Sequence, residues 1–424
     1  MLLFVFHFKL LVLSVSRDSI ICGLDVGTSN IRAVVAQKRA GQEKPQVLGV
    51  GSVSSFGLRK GIVVDVEETV KGIKKALDEA EKASGVMINR AFVNIGGNHI
   101  TCRLSKGVVA VSRADGEISE EDSARAIKAA EAVSIPQNRE IIHTIPRFFT
   151  VDEEKFIKDP VGMTGVRLEA DAILIEGSTP FIKNLQKCLH EAEIDIEDLV
   201  LSPLAASRSV LTKRQKELGV LVLDLGGGTS GLTIFEEGDI IHTSILPIGG
   251  SHITNDLAIG LRTSVDVAER VKLEYGSALP DEINKKEVID LSKLEGEEGA
   301  NSRKYVAEIM HARLNEIFDL ANKELKRIDR QGLLPAGLIL VGGGAKIPGI
   351  IDLAKSELKL PAQIGFPANV DGVLNRIDDP SFATAVGLVL WGMDEVGKDF
   401  GPRRTFSFGS PMSKFQKWLK AFLP

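Results

Sequence analysis

Asp25 and Asp224 each stand two residues ahead of a glycine turn flanked by apolar runs. Around Asp25 the chain reads ICGLDVGTSNIRAVVA (21–36), with the turn Gly27-Thr28-Ser29-Asn30. Around Asp224 it reads LVLDLGGGTSGLTIF (221–235), with the turn Gly226-Gly227-Gly228-Thr229. Each is a strand, a tight turn and a second strand. Glycine in such a turn supplies φ > 0 and lets backbone N–H groups approach an anion. A carboxylate just before the turn can hold Mg²⁺ through water. A third loop, LILVGGGAKIPGI (338–350), runs a buried strand into Gly342-Gly343-Gly344-Ala345 and then into a helical pattern beginning at Ile347. Bare backbone there leaves room for a flat ligand, and a helix N-terminus favours phosphate. Taken singly, a strand–glycine–strand unit is most often a plain hairpin. Three such loops, two with Asp at matched positions, point to phosphate chemistry.

Other phosphate and catalytic schemes are absent. The chain has no G-x-x-x-x-G-K-[ST], no G-x-G-x-x-G opening a helix, and no kinase, nucleophile-elbow or HExxH signature. Cys22, Cys102 and Cys188 lie far apart, so neither a zinc site nor a disulfide framework is expected, and a reducing cytoplasm fits best. A net charge of −5 argues against nucleic acid as a partner.

The elements that must position these loops follow from the pattern. The two Asp loops, about 200 residues apart, read as a duplicated unit. A length of 424 residues allows about two to three domains. Residues 18–98 alternate strands with a helix at 66–83. Residues 99–177 break that rhythm: a short strand at 108–111, a helix at 119–133 capped by Ser119, and strands at 141–151 and 166–175. A helix at 179–192 follows. Residues 251–329 are mostly helical, with an acidic loop at 295–299 and a long helix at 304–330.

Both termini carry signals of their own. Residues 1–15, MLLFVFHFKLLVLSV, resemble a signal-peptide core. That run is short for a membrane span, is interrupted by His7 and Lys9, and is followed almost at once by a core-type strand. Residues 1–17 read as an extension or a misassigned start. At the other end, Phe415, Trp418, Leu419, Phe422 and Leu423 fall at i, i+3, i+4, i+7 and i+8, with Lys414, Lys417 and Lys420 opposite or flanking. A helix over 411–424 would be roughly 20 Å long, too short to span a bilayer. Its basic, Trp- and Phe-bearing stripe suits the interface of an anionic membrane. The aperiodic stretch 393–410 reads as a flexible linker.

These loops resemble those of the actin superfamily of ATPases: the first two its phosphate hairpins, the third its adenosine loop. SFATAVGLVLW (381–391), with small Ala383, Ala385 and Gly387, resembles its second inter-domain connecting helix. Within the superfamily the chain resembles the bacterial cell-division family FtsA, from residue 18 to the end. LVLSPLAASRSVLT (199–212) and ELGVLVLDLGGGT (217–229) resemble that family's first connecting helix and second phosphate loop. Residues 141–175 resemble its inserted subdomain 1C, which other actins replace by 1B and which the pilus protein PilM shares.

The resemblance implies an α/β, actin-like (ribonuclease H-like, duplicated) two-lobe ATPase fold with an inserted α+β subdomain 1C. Residues 18–98 and 178–216 would form lobe 1 (1A), 99–177 subdomain 1C, and 217–250 with 330–392 lobe 2 (2A), its connecting helix at 381–392. Residues 251–329 would be subdomain 2B, 393–410 the linker and 411–424 the membrane-targeting helix. ATP would lie between the lobes, with Asp25 and Asp224 orienting Mg²⁺ and its waters. Gly27, Thr28, Ser29, Asn30, Gly226, Gly227, Gly228 and Thr229 would bind phosphates. Glu269, Lys272, Gly342, Gly343, Gly344 and Ala345 would bind the nucleoside. Filament-forming relatives such as MreB place a Glu before the Pro of the first connecting helix. Here Ser202 precedes Pro203, so tight ATP binding with slow turnover is expected. The segment 307–318 resembles the docking helix for the tail of the tubulin-like FtsZ, with Arg313 and Glu316 as candidate contacts. An Arg that the family often shows earlier falls here at Gly299.

The implied function is a polymerising adaptor on the cytoplasmic face of the membrane that tethers FtsZ and recruits later divisome proteins. Two alternatives compete: a PilM-like type IV pilus assembly factor, and a soluble actin-fold kinase. The terminal amphipathic helix argues against both, and no catalytic carboxylate for an acceptor stands out for the kinase.

Overall fold

The computed structural model describes residues 19–39, 41–133, 135–290 and 300–396. The N-terminal extension, the acidic loop at 295–299, the linker from residue 397 and the whole 411–424 segment lie outside them.

Lobe 1 begins with an antiparallel meander of β1 (Ser19–Val26), β2 (Asn30–Lys38) and β3 (Gln46–Ser54). A small hairpin follows, β4 (Leu58–Arg59) and β5 (Ile62–Val63). Helix α1 (Val66–Ser84) starts where the Asp65 carboxylate accepts from Glu68 N–H, and it stops at Gly85, whose φ of 70° suits glycine. Its buried stripe of Ile73, Ala76, Leu77 and Ala80 packs on the sheet. Then β6 (Arg90–Ile95) pairs with β1 in parallel.

The expected break in rhythm is the inserted α+β subdomain. β7 (Thr101–Ala110), β8 (Arg139–Val151), β9 (Glu154–Ile157) and β10 (Arg167–Ser178) form a sheet in the order β7-β10-β8-β9, covered by α2 (Glu120–Glu131). Ser119 caps α2 in a reciprocal box with Asp122. The strand expected at 108–111 begins at Thr101 instead. Its first half mixes Arg103, Ser105 and Lys106 with less polar residues on an edge strand, so it carries little apolar signal. Next come α3 (Thr179–Glu191) and β11 (Asp195–Leu201), which pairs in parallel with β6.

Helices α4 (Ser202–Val210) and α5 (Lys213–Leu218) lead into lobe 2. There β12 (Val220–Leu225), β13 (Ser230–Glu236) and β14 (Asp239–Leu246) repeat the meander. An insert of α6 (Gly250–Leu261), α7 (Val265–Tyr275), the short pair β15 (Val288–Asp290) and β16 (Ala300–Ser302), and α8 (Arg303–Arg327) follows. β17 (Leu338–Val341) and β18 (Ala362–Ile364), joined through α9 (Ile350–Leu358), lie parallel beside β12. β19 (Asp371–Gly372) returns to pair with β3 of lobe 1, and α10 (Ala383–Val396) closes the described chain.

The two main sheets run β11-β6-β1-β2-β3-β19 and β14-β13-β12-β17-β18. Apart from β19 the pairings are the same: three antiparallel strands, then two parallel ones beside the first. The duplication expected from the Asp loops is therefore real at the level of topology. One core, around Leu24, Ile73 and Val93, extends from lobe 1 to Val220, Val222 and Ile339 of lobe 2, and a second, around Leu223, Leu314 and Leu340, lies within lobe 2.

Helices α4 and α10 cross between the lobes on bare backbone: a Cβ at Gly387 would lie 1.8 Å from Ala205 O. On the other side of α10, a Cβ at Gly23 would lie 2.3 Å from Ala385 O. Helix α10 runs to Val396 rather than ending at 392, because Arg208 holds Asp394 and Lys38 Nζ donates to Met393 O at 2.9 Å. After the third glycine loop the α-helix starts at Ile350, not Ile347; a 3₁₀ turn, Gly343–Lys346, intervenes.

Candidate functional site

The two Asp loops are built alike. Gly27 N–H donates to Asn30 O at 3.1 Å, and Gly226 N–H donates to Thr229 O at 3.1 Å. A Cβ would lie 2.7 Å from that oxygen at Gly27 and 2.8 Å at Gly226. The matched glycines are thus required by the same folded-back carbonyl. The loops meet across the space between the lobes. A Cβ at Gly227 would lie 2.0 Å from Ser29 Oγ, and one at Gly228 would lie 2.8 Å from Thr28 Oγ1. Thr28, Ser29, Gly227 and Gly228 therefore come together, with Asn30 and Thr229 closing the base of each turn.

Asp25 and Asp224 sit on the equivalent central strands β1 and β12. Burial pushes the Asp25 carboxyl up to about 7; Arg32, 3.9 Å away, opposes this and the like charge of Asp224 adds to it. Burial also raises Asp224, against the Thr384 hydroxyl, which donates to it at 3.2 Å, and against Arg32. Burial disfavours the charge on both carboxyls, and the charge of Asp224 is felt at Asp25, so the two form a site that a hydrated cation would neutralise. Among the described residues no group of three or more His, Cys, Asp or Glu side chains could hold a metal ion directly.

The third loop completes the wall. Gly342 has φ +83°, and a Cβ on it would lie 2.4 Å from Asp224 Oδ1. A Cβ on Gly344 would strike Leu225 at 2.3 Å, whereas one on Gly343 meets nothing within 4 Å. Gly343 is the open step of the three, and Ala345 is buried behind it.

The N-terminus of α6 abuts the second loop. Gly250 N–H donates to Gly226 O at 2.9 Å and Ser251 N–H to Gly227 O at 2.8 Å. Lys272 of α7 reaches the same turn: its ammonium donates to Thr254 Oγ1 at 2.9 Å and pairs with Glu269 at 2.5 Å. The Lys272 side chain is only 11% exposed, so it is not part of a freely solvated helix face.

Sequence reading missed Asn94. Its Oδ1 accepts from Val26 N–H at 2.6 Å, and its Nδ2 donates to Ser202 Oγ at 3.2 Å. Ser202 Oγ in turn donates to Ile95 O at 3.1 Å. The one available signal was a lone amide inside the apolar run AFVNIGG (91–97). Thr384, on α10, was also missed.

Away from these loops, α6 and α8 frame a groove of about 390 Å³. Ile259, Tyr305 and Ile309 supply its apolar lining, and Asp256, Arg313 and Glu316 its charges. Arg313 donates to both Asp256 oxygens at 2.6 and 2.9 Å and to Glu316 at 2.5 Å. The expected membrane contacts (Lys414, Phe415, Lys417, Trp418, Leu419, Lys420, Phe422 and Leu423) lie outside the described residues. Among those described, no helix is long and apolar enough to cross a membrane.

Comparison with known proteins agrees with this architecture. The chain shares its fold with PilM of a PilM–PilN type IV pilus biogenesis complex (TM-score 0.65, 18% identity, covering 88% of this chain and 98% of that one). It also shares it with MreB5 of Spiroplasma citri bound to ADP (TM-score 0.51, 16% identity, covering 89% and 97%). Residues 221–387 match the family model "Cell division protein FtsA", and residues 97–176 match "SHS2 domain inserted in FTSA". The cell division protein FtsA of Pseudomonas aeruginosa is 38% identical over 383 residues, covering 90% of this chain and 91% of that protein. With its duplicated sheets, its inserted α+β subdomain and this identity over nearly its whole length, the chain belongs to the FtsA family of cell-division proteins.

Proposed function

We propose that this chain binds ATP and Mg²⁺ between its lobes, polymerises beneath the membrane at the division site, tethers FtsZ there and recruits later divisome proteins. The observation that carries the tethering is the groove between α6 and α8. It offers exposed Ile259, at 77%, beside Arg313, which Asp256 and Glu316 hold, so it suits a short peptide tail with apolar side chains and an acidic group that displaces one of those carboxylates from the guanidinium. Arg313 and Glu316 are its contacts. The segment 411–424 supplies the membrane grip, through its apolar stripe and lysines.

The ATP reading draws support from three features: the facing glycine tips, the open step at Gly343 and the ADP-bound state of the MreB5 relative in fold. Magnesium would neutralise the Asp25–Asp224 pair and bridge it to phosphate through water. Thr28, Ser29, Asn30 and the backbone of the Gly226-Gly227-Gly228-Thr229 turn bind phosphates. Glu269 and Lys272, with Gly342, Gly343, Gly344 and Ala345, bind the nucleoside. The Ser202 hydroxyl donates to a backbone carbonyl and is no base, so water is oriented weakly and turnover is slow. Apart from the connecting helix, which runs on to Val396, the subdomain boundaries given above from the resemblance are part of this proposal. A pilus role is not favoured, because the likeness to PilM extends to the fold alone.

The test is co-sedimentation of purified FtsZ filaments with anionic liposomes, with and without this protein and Mg-ATP. FtsZ pellets with lipid only when the protein carries 411–424. A protein that binds lipid yet never brings FtsZ down would end the tethering role.

A further inference from the structure

The turn of the β4–β5 hairpin touches both glycine loops. Lys60 and Gly61 take φ values of 52° and 72°, the left-handed pair of a two-residue hairpin turn. Gly61 N–H donates to Thr28 Oγ1 at 2.9 Å, which ties the turn to the first loop. A Cβ on Gly228 would lie 2.8 Å from both Lys60 N and Lys60 Cα, so the turn also presses on the tip of the second loop. Lys60 O accepts from Asn98 N–H at 3.4 Å. The backbone of Lys60 is thus fixed where a lobe 1 element meets the tip of a lobe 2 loop.

Its charge is felt across that junction. His252, in the first turn of α6, is held below the ordinary imidazole value by burial, and Lys60 adds to the effect. Among the described residues no carboxylate forms a salt bridge with the Lys60 ammonium. Asn or Gly would adopt this backbone with less strain. Lys272, by contrast, reaches the base of the second loop through Gly250 O, at 3.5 Å. The two cations therefore serve opposite ends of the same loop.

We propose that Lys60 binds the terminal phosphate of the nucleotide and sets the preference for a triphosphate over a diphosphate. A cation without a carboxylate partner, seated where two phosphate-type loops converge, gains most from the last, doubly charged phosphate. The inference rests on the reading of the inter-lobe site as an ATP site.

The test uses the full chain with Mg-ATP and Mg-ADP as competitors of a fluorescent nucleotide. Lys60→Asn keeps the left-handed backbone and removes the charge; Lys60→Arg restores it. The expected result is a fall of about tenfold in the ATP:ADP affinity ratio in Lys60→Asn, largely recovered in Lys60→Arg. An unchanged ratio in Lys60→Asn, with the wild type binding ATP, overturns the role of Lys60 and leaves the site reading intact. A wild type that binds neither nucleotide overturns the site reading and this inference with it.

Discussion

Arg208 of α4 grips Asp394 of α10 with two nitrogens, Nε at 3.1 Å from Oδ2 and Nη2 at 3.0 Å from Oδ1. The pair locks together the two helices that connect the lobes, and both partners are about three-quarters buried. Arg208→Ala leaves Asp394 half-hidden without its forked donor. The loss is about 2 kcal/mol of stability, typical of hydrogen bonds to charged groups, and urea denaturation of the variant reads it. An unchanged midpoint would show that solvent already satisfies the pair.

Lys216 lies beside this pair and is 7% exposed. Burial drives its ammonium down to about 7; Arg208 lowers it further and Asp394 opposes the shift. The folded value is below the unfolded one of about 10.4, so the unfolded chain binds more protons between the two. The destabilising contribution of Lys216 is therefore full below pH 7 and fades as pH rises towards 10. Lys216→Met is accordingly more stable than wild type at pH 7, by a margin that shrinks towards pH 10. Paired denaturation curves across that range would show it, and a constant margin would refute it.

ATP turnover stays below about one per second, because Ser202 offers no base. Asp224→Ala abolishes Mg-ATP binding while leaving the circular dichroism of the fold in place. A faster turnover that vanishes in Asp224→Ala would contradict the slow-turnover reading.

Arg313→Glu removes the one cation that, among the described residues, lines the α6–α8 groove, and leaves a third carboxylate beside Asp256 and Glu316. Capture of the FtsZ tail falls by at least about tenfold, the cost of placing like charges in a peptide site, with ATP binding unchanged. Fluorescence anisotropy with a labelled tail peptide measures both the loss and its salt dependence.

Trp418→Glu abolishes binding to anionic liposomes and leaves ATP binding as in wild type, since a carboxylate on the apolar stripe opposes interfacial insertion. Flotation assays decide the matter; wild-type flotation of the variant removes the membrane role from 411–424.

The parts of the fold legible in sequence were those fixed locally. Asp25-Val26-Gly27 and Asp224-Leu225-Gly226 encode their own turns, because the folded-back carbonyls of Asn30 and Thr229 demand glycine. Ser119 and Asp122 encode the start of α2 within four residues. The small residues of 381–391 foretold a close helix crossing. What escaped is long-range. Asn94 joins the first loop to Ser202 through partners 68 and 108 residues away, and nothing near it in sequence marks that task. Lys60 lies in a short hairpin with hardly any periodicity, and the end of α10 is set by Arg208, 186 residues upstream.

The crossing at Gly387 and Ala205 has a mechanical consequence. The two helices come together on backbone at that point, and side chains to either side pin the crossing: Arg208 pairs with Asp394, and Ser209 Oγ donates to Ala383 O at 2.7 Å. Even one methyl group at Gly387 would wedge it. The junction of the two lobes is thus a clamp, a near backbone-to-backbone contact held by side chains on either side of it.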